Sequence, residues 1–148
     1  ISLSRGFAIV GGRSNGFSVG GAGDINRDGY KDIIIGAPYT NDRSGISYVI
    51  YGNNNMIAEV NLDSLSPNQG FYIRGVNTED FVGWSVAGVG DINNDGYDDI
   101  IVGAPQDFPQ DSGFCYVIFG NHSSVLANIN LEYLSPNGEK ERISFRRK

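Results

Sequence analysis

An all-β fold, made of two copies of one four-stranded antiparallel unit, is what this sequence predicts, and three observations predict it. The chain spells nearly the same phrase twice, DINRDGYKDIIIGAP over residues 24–38 and DINNDGYDDIIVGAP over residues 91–105. Internal repetition at a period of this size is the mark of a repeat architecture. Its 21 glycines among 148 residues are about double the ordinary share. Its apolar residues come in short runs rich in Ile, Val, Tyr and Phe, which suit strands joined by tight turns.

The repeat extends beyond that phrase. GFSVGGAGDIN (16–26) matches GWSVAGVGDIN (83–93), SGISYVIYGN (44–53) matches SGFCYVIFGN (112–121), and NLDSLSPNQG (61–70) matches NLEYLSPNGE (130–139). The first strand of each unit is expected over 17–23 and 84–90, leading through a glycine into the acidic phrase. The second follows as Ile33-Ile34-Ile35 and over 99–103, a continuous β-branched run of the kind buried on both faces. A third is expected over 45–52 and 113–120, where aromatic residues alternate, and a fourth over 71–75 and 142–146 after the LSPN turn. Residues 6–12 (GFAIVGG) read like another fourth strand, as if the chain started inside a preceding unit.

Composition bounds the function. With 40% hydrophobic and 19% charged residues the chain is expected to fold as one domain, and its formal charge of −6 argues against nucleic acid or an anionic membrane surface as partner. No apolar run approaches the roughly 20 residues that cross a bilayer, so direct membrane insertion is not expected. Cys115 stands alone, which rules out an intrachain disulfide framework and leaves the redox compartment open. The chain starts at Ile1 with neither Met nor a signal-like segment, and is expected to be a processed or excised piece.

The acidic phrase carries the chemistry. Asp24, Asn26, Asp28 and Asp32 occupy positions 1, 3, 5 and 9 of a loop with Gly29 at 6 and Tyr30 at 7, and Asp91, Asn93, Asp95, Gly96, Tyr97 and Asp99 repeat the pattern. Alternating side-chain oxygens, a glycine at the sharp bend and a main-chain carbonyl at position 7 suit a hard cation that takes six or more oxygens at adaptable distances. Ca²⁺ is therefore expected at two sites; Mg²⁺ demands stricter geometry, and zinc wants His or Cys. The plainer alternative is a metal-free acidic turn closed by Asx-type hydrogen bonds, which the second copy of the pattern disfavours. A helical calcium motif needs an acid at position 12 and a following helix, whereas Ile35 and Val102 stand there within strand-like runs.

With those loops, the stretch Phe81-Val82-Gly83-Trp84-Ser85, its shorter counterpart Gly16-Phe17-Ser18, and Gly36-Ala37-Pro38 and Gly103-Ala104-Pro105, the chain resembles two FG-GAP repeats, the calcium-loop repeats of the integrin α-subunit β-propeller and its bacterial relatives. In the first copy Asn15 stands where the family usually has Phe-Gly. The resemblance implies that each unit is a propeller blade with calcium between its first and second strands on the lower face. The layout is then an outer strand of a preceding blade over 1–12, one blade over 13–75 and a second over 76–148. It also implies a cell-surface or extracellular setting and a role in adhesion or protein recognition, with a protein ligand met by upper-face loops. On those loops lie Arg13, Asp42, Arg43, Asp80, Asp107, Phe108 and Asp111. The alternatives are a structural calcium-stabilised segment or a non-catalytic accessory domain of a larger secreted protein or hydrolase.

Other signals weigh less. Gly16-Phe17-Ser18-Val19-Gly20 matches the G-x-S-x-G of hydrolases, but its twin reads GWSVA and His122 is the sole histidine, so no catalytic role is expected. Asn121-His122-Ser123 is a formal glycosylation sequon. Trp84 and the aromatic residues of the strands are expected to pack between blades. Three aspartates against Arg27 and Lys31 leave residues 24–32 at −1, while four aspartates leave 91–99 at −4, which predicts tighter binding in the second loop. Two blades alone would leave apolar faces bare, so either a closed homo-oligomer or further blades of a longer chain are expected.

Overall fold

The computed structural model describes residues 6–12, 16–54, 59–105, 113–122 and 127–134. Arg13, Asp107, Phe108, Asp111 and the strand expected over 142–146 lie outside these residues.

The first unit forms the expected antiparallel meander of β2 (Ser18–Gly23), β3 (Asp32–Ala37), β4 (Ile46–Ile50) and β6 (Gly70–Arg74), and the second forms β7 (Ser85–Gly90), β8 (Asp99–Ala104) and β9 (Phe114–Ile118). The pairings correspond residue for residue: Ile34 faces Val49 across β3 and β4, as Ile101 faces Val117 across β8 and β9. Each first strand slips register just before its acidic loop, between Gly21 and Gly23 and between Gly88 and Gly90. Gly23 and Gly90 carry φ of 74° and 72°, in the left-handed region that glycine enters without strain. That bulge turns the chain out of the sheet and into the acidic loop.

Three short strands complete the described structure. β1 (Ala8–Val10) pairs in parallel with β5 (Glu59–Asn61), and β10 (Ile129–Asn130) pairs in parallel with β6. The registers coincide: Ile9 faces Val60 and Val10 faces Asn61, just as Ile73 faces Ile129 and Arg74 faces Asn130. Residues 6–12 therefore stand to β5 as the outer strand of the first unit stands to β10. After β5 and β10, Asn61 and Asn130 accept the amides of Asp63 and Glu132 and cap 3₁₀ turns over Leu62–Ser64 and Leu131–Tyr133, which bury Leu62 and Leu131. This explains why the phrase Asn-Leu-acid recurs.

Alternation along the first sheet sends side chains to two cores. Ile34, Val49, Phe71 and Ile73 face the second unit, where they meet Ile100, Val102, Ala104 and Phe114. Ile35, Tyr48 and Ile50 face the opposite way, onto Val60 and Leu62 of the β1–β5 layer. Full burial of each such side chain contributes about 1.5–3 kcal/mol, so the first sheet is held from both sides. The second sheet buries Ile100 and Val102 against the first unit and leaves Ile101, Cys115 and Val117 on its other face half-buried.

Candidate functional site

The acidic loops connect β2 to β3 and β7 to β8, and both close through one hydrogen-bond pattern. In the first, the Asp28 amide donates to Asp24 Oδ1 at 3.0 Å and to Asn26 Oδ1 at 3.1 Å, so positions 1 and 3 converge on one N–H. Asn26 Nδ2 donates to Asp28 Oδ2 at 2.8 Å, the Gly29 amide donates to Asp24 Oδ2 at 3.0 Å, and the Tyr30 amide donates to Asp28 Oδ1 at 2.9 Å. The second loop repeats every contact, with Asp95 N–H shared by Asp91 and Asn93, Asn93 Nδ2 on Asp95, Gly96 N–H on Asp91 and Tyr97 N–H on Asp95. Gly29 and Gly96, at φ 91° and 92°, make the bend that position 6 requires.

Position 9 behaves differently from its neighbours. Asp32 is 2% exposed and Asp99 is fully buried. Asp32 accepts the amides of Ile25 at 2.9 Å and Gly52 at 2.8 Å; Asp99 accepts those of Ile92 and Gly120, both at 2.9 Å. These carboxylates tie each loop to the end of the third strand. Burial pushes the Asp32 carboxyl up to about 6, against the opposing pull of the Gly52 and Ile25 amides and with the charges of Asp28 and Asp24 adding to the rise. Among the described residues no three His, Cys, Asp or Glu side chains gather in a group able to hold a metal ion. Each loop instead brings together two aspartates and an asparagine, with the third aspartate behind them. A cleft of about 520 Å³, lined by Asn26, Asp28, Tyr51 and Asn128 among others, opens beside the first loop.

The loops touch each other, which the charge tally did not foresee. Asp98 is not an outward charge of the second loop. Its Oδ2 accepts the Asp24 amide at 2.7 Å and Lys31 Nζ at 3.1 Å, and the Asp24 amide, then Lys31, hold its carboxyl below the usual range. Arg27, counted against the first loop, places its guanidinium carbon 5.9 Å from the centre of the Tyr97 ring in the second. Two of the charges behind the expected difference in affinity therefore sit at the opposite loop.

At the other end of the sheets, Asp42 is exposed as expected and Arg43 pairs with Glu79. Asn41, Asp42 and Arg43 carry successive positive φ of 51°, 52° and 65°. Asp80 corrects its expected place on an open face: it is 5% exposed, and its Oδ2 accepts the amides of Val76 and Asn77 at 3.1 and 2.7 Å, holding its own loop together. What sequence reading missed here is an aromatic group. Phe17, Tyr39 and Trp84, each between 41% and 47% exposed, pack against one another at centroid distances of 4.9–6.0 Å, and the buried Phe81 lies 5.8 Å from both Tyr39 and Trp84. Trp84 of the second unit meets Phe17 and Tyr39 of the first, so it packs between the units as expected while keeping one side open to solvent. Ser18, the serine of the hydrolase-like pentapeptide, donates its hydroxyl to the carbonyl of Gly83 at 2.8 Å and serves the joint between the units. Asn121 is exposed, while Ser123 of its sequon lies outside the described residues.

Comparison with known proteins agrees with this architecture. The sequence model of the FG-GAP repeat matches residues 15–50 and 82–118, one match per unit. Integrin alpha-6 of Homo sapiens is 38% identical over 104 residues, covering 69% of this chain and 8% of that protein. Integrin alpha-2 of Mus musculus is 33% identical over 89 residues, covering 60% of this chain and 7% of that protein. Phosphatidylinositol-glycan-specific phospholipase D of Bos taurus is 35% identical over 112 residues, covering 71% of this chain and 13% of that protein. The chain thus spans only a small fraction, 7–13%, of each of these relatives. Among the described residues no helix is long and apolar enough to cross a membrane. With a repeat match on each of two all-β units that share one loop geometry, the chain is an FG-GAP repeat protein, and its units resemble blades of the integrin α-subunit propeller.

Proposed function

We propose that the chain is a calcium-binding pair of β-propeller blades, one Ca²⁺ per acidic loop, that serves adhesion or protein recognition at the cell surface or outside the cell and is not itself catalytic. The observation that carries this reading is the convergence of Asp24 and Asn26 on the Asp28 amide, repeated by Asp91 and Asn93 on Asp95. It brings a charged oxygen of position 1 and an uncharged oxygen of position 3 together on one amide of a tight turn. The donor set fits a hard cation because calcium accepts amide and carbonyl oxygens as readily as carboxylates, so a group of three acids is not required. Asp24, Asn26, Asp28, Asp32 and the Tyr30 carbonyl would hold the first ion, and Asp91, Asn93, Asp95, Asp99 and the Tyr97 carbonyl the second. The bound ion supplies positive charge that offsets the repulsion of the clustered aspartates.

The exposed group of Phe17, Tyr39 and Trp84 supports recognition, since adjoining exposed aromatic rings are common at protein interfaces. The register shared by β1–β5 and β6–β10 supports the reading of residues 1–12 as the outer strand of a preceding blade, with blades over 13–75 and 76–148. The half-buried face of the second sheet suits further blades, from a longer chain or from copies of this one. The second reading, an accessory domain of a larger secreted protein, rests on the phospholipase D relative.

Calorimetric titration of CaCl₂ into the metal-free chain tests the proposal. Two sites per chain are expected, one lost in Asp24→Ala and the other in Asp91→Ala. Absence of binding at millimolar calcium would refute it.

A further inference from the structure

The contact between the two acidic loops has a direction. Asp98 lies between Tyr97 and Asp99, positions 7 and 9 of the second loop, so its backbone belongs to that loop's frame. Its side chain belongs to the first loop: Oδ2 accepts the Asp24 amide at 2.7 Å, and the Asp98 amide donates in return to the Asp24 carbonyl at 3.3 Å. Both main-chain polar groups of the first loop's position 1 are therefore held by one residue of the second loop. The approach depends on Gly23, where an added β-carbon would stand 2.3 Å from Asp98 Oδ2. A second link runs alongside. The Gly120 amide donates to Asp99 Oδ1 at 2.9 Å, and the next amide, of Asn121, donates to the Ile25 carbonyl at 3.0 Å. Positions 8 and 9 of one loop are thus tied, the first directly and the second through residues 120 and 121, to positions 1 and 2 of the other.

We propose that Asp98 is a positioning residue through which the two loops bind calcium as a coupled pair, each ion tightening the binding of the other. This rests on the reading of both loops as calcium sites. A cation in the second loop immobilises the segment 97–99 and with it the carboxylate that fixes Asp24, so part of the ordering cost of the first site is met in advance. The effect is reciprocal by thermodynamic necessity, and coupling of this kind typically changes affinity by about fivefold or more. The negative charge of Asp98 between the loops also offsets repulsion between two bound ions, and Lys31, at 3.1 Å from the same oxygen, restrains where that carboxylate points.

A double-mutant cycle read by calorimetry, with calcium alone as probe, tests the coupling. Disabling the second loop by Asp95→Ala is expected to weaken the first loop's dissociation constant about fivefold or more. In an Asp98→Ala background the same Asp95→Ala change is expected to leave the first loop unaltered, while Asp98→Asn, which keeps an acceptor oxygen, restores part of the difference. Circular dichroism establishes that each variant is folded, and Asp95→Asn replaces Asp95→Ala if the latter is not. A first loop equally tight with and without a working second loop overturns the coupling and leaves the calcium reading standing. No binding heat in the unsubstituted chain overturns both.

Discussion

Gly36, the glycine of the first Gly-Ala-Pro, lies so close to Gly83 of the second unit that a β-carbon on it would come within 1.9 Å of the Gly83 carbonyl oxygen and 2.4 Å of Ser18 Oγ. That oxygen is also the acceptor of the Ser18 hydroxyl, so three residues of two repeats meet at one point. At the corresponding Gly103, the nearest obstacle is only the Ser85 hydroxyl, at 2.3 Å, which can rotate away. Gly36→Ala is therefore expected to destabilise by about 3 kcal/mol and Gly103→Ala by about 1 kcal/mol, since overpacking against backbone is not relieved by a rotamer change. Urea unfolding of the two variants measures the difference; equal losses would mean that the joint can shift as easily as a side chain.

Tyr51 is 5% exposed, and its hydroxyl has no hydrogen-bond partner among the described residues. Burial, followed by the charges of Asp32 and Asp28, pushes its phenol up to about 12. The second unit has Phe119 at the equivalent place. Because an unpaired buried hydroxyl costs roughly 1 kcal/mol or more, Tyr51→Phe is expected to leave stability unchanged or raise it by about that amount. A loss of 1 kcal/mol or more on denaturant unfolding would show that the hydroxyl bonds a group in the first loop.

Asp32 gives the calcium-free chain a pH dependence of defined sign. Its folded value, about 6, stands above the ordinary 3.8, so the folded state holds this proton more tightly than the unfolded chain does. The associated stability is fully present below about pH 4 and is lost as pH rises through 6, with a slope of at most about 1.4 kcal/mol per pH unit. The facing charges are Asp24 and Asp28. Melting in calcium-free buffer between pH 4 and 7 should show a decline for the unsubstituted chain that is shallower in Asp32→Asn. Identical slopes would remove Asp32 as the cause.

The four strands of the first meander and the three described strands of the second were legible because β-branched runs bounded by glycine and proline repeat at corresponding places. β5 and β10 were not, since three and two residues paired in parallel with distant partners carry no periodicity of their own. The loop residues were legible by type and spacing. That position 9 spends both oxygens on main-chain amides was not, because Gly52 and Gly120 lie 20 and 21 residues away. The link from Asp98 to Asp24 spans 74 positions and exists only because the units pack side by side. The same holds for Phe17, Tyr39, Phe81 and Trp84, which the repeat places at one end of the sheets but which no pattern along the chain marks as neighbours.

The central claim is that calcium in the two acidic loops holds the blades in shape, and thermal unfolding at neutral pH with and without the ion tests it most directly. In each loop the aspartate at position 1 accepts the main-chain amide of the aspartate at position 5, and a third aspartate is buried at position 9, so without a cation the repulsion of these nearby charges opposes the turn. With calcium at about 100 times its dissociation constant, stabilisation of about 2.7 kcal/mol per site is expected, a rise in melting temperature of several degrees. In Asp24→Ala/Asp91→Ala the rise should vanish. A chain that melts at the same temperature in chelator and in saturating calcium would contradict the claim.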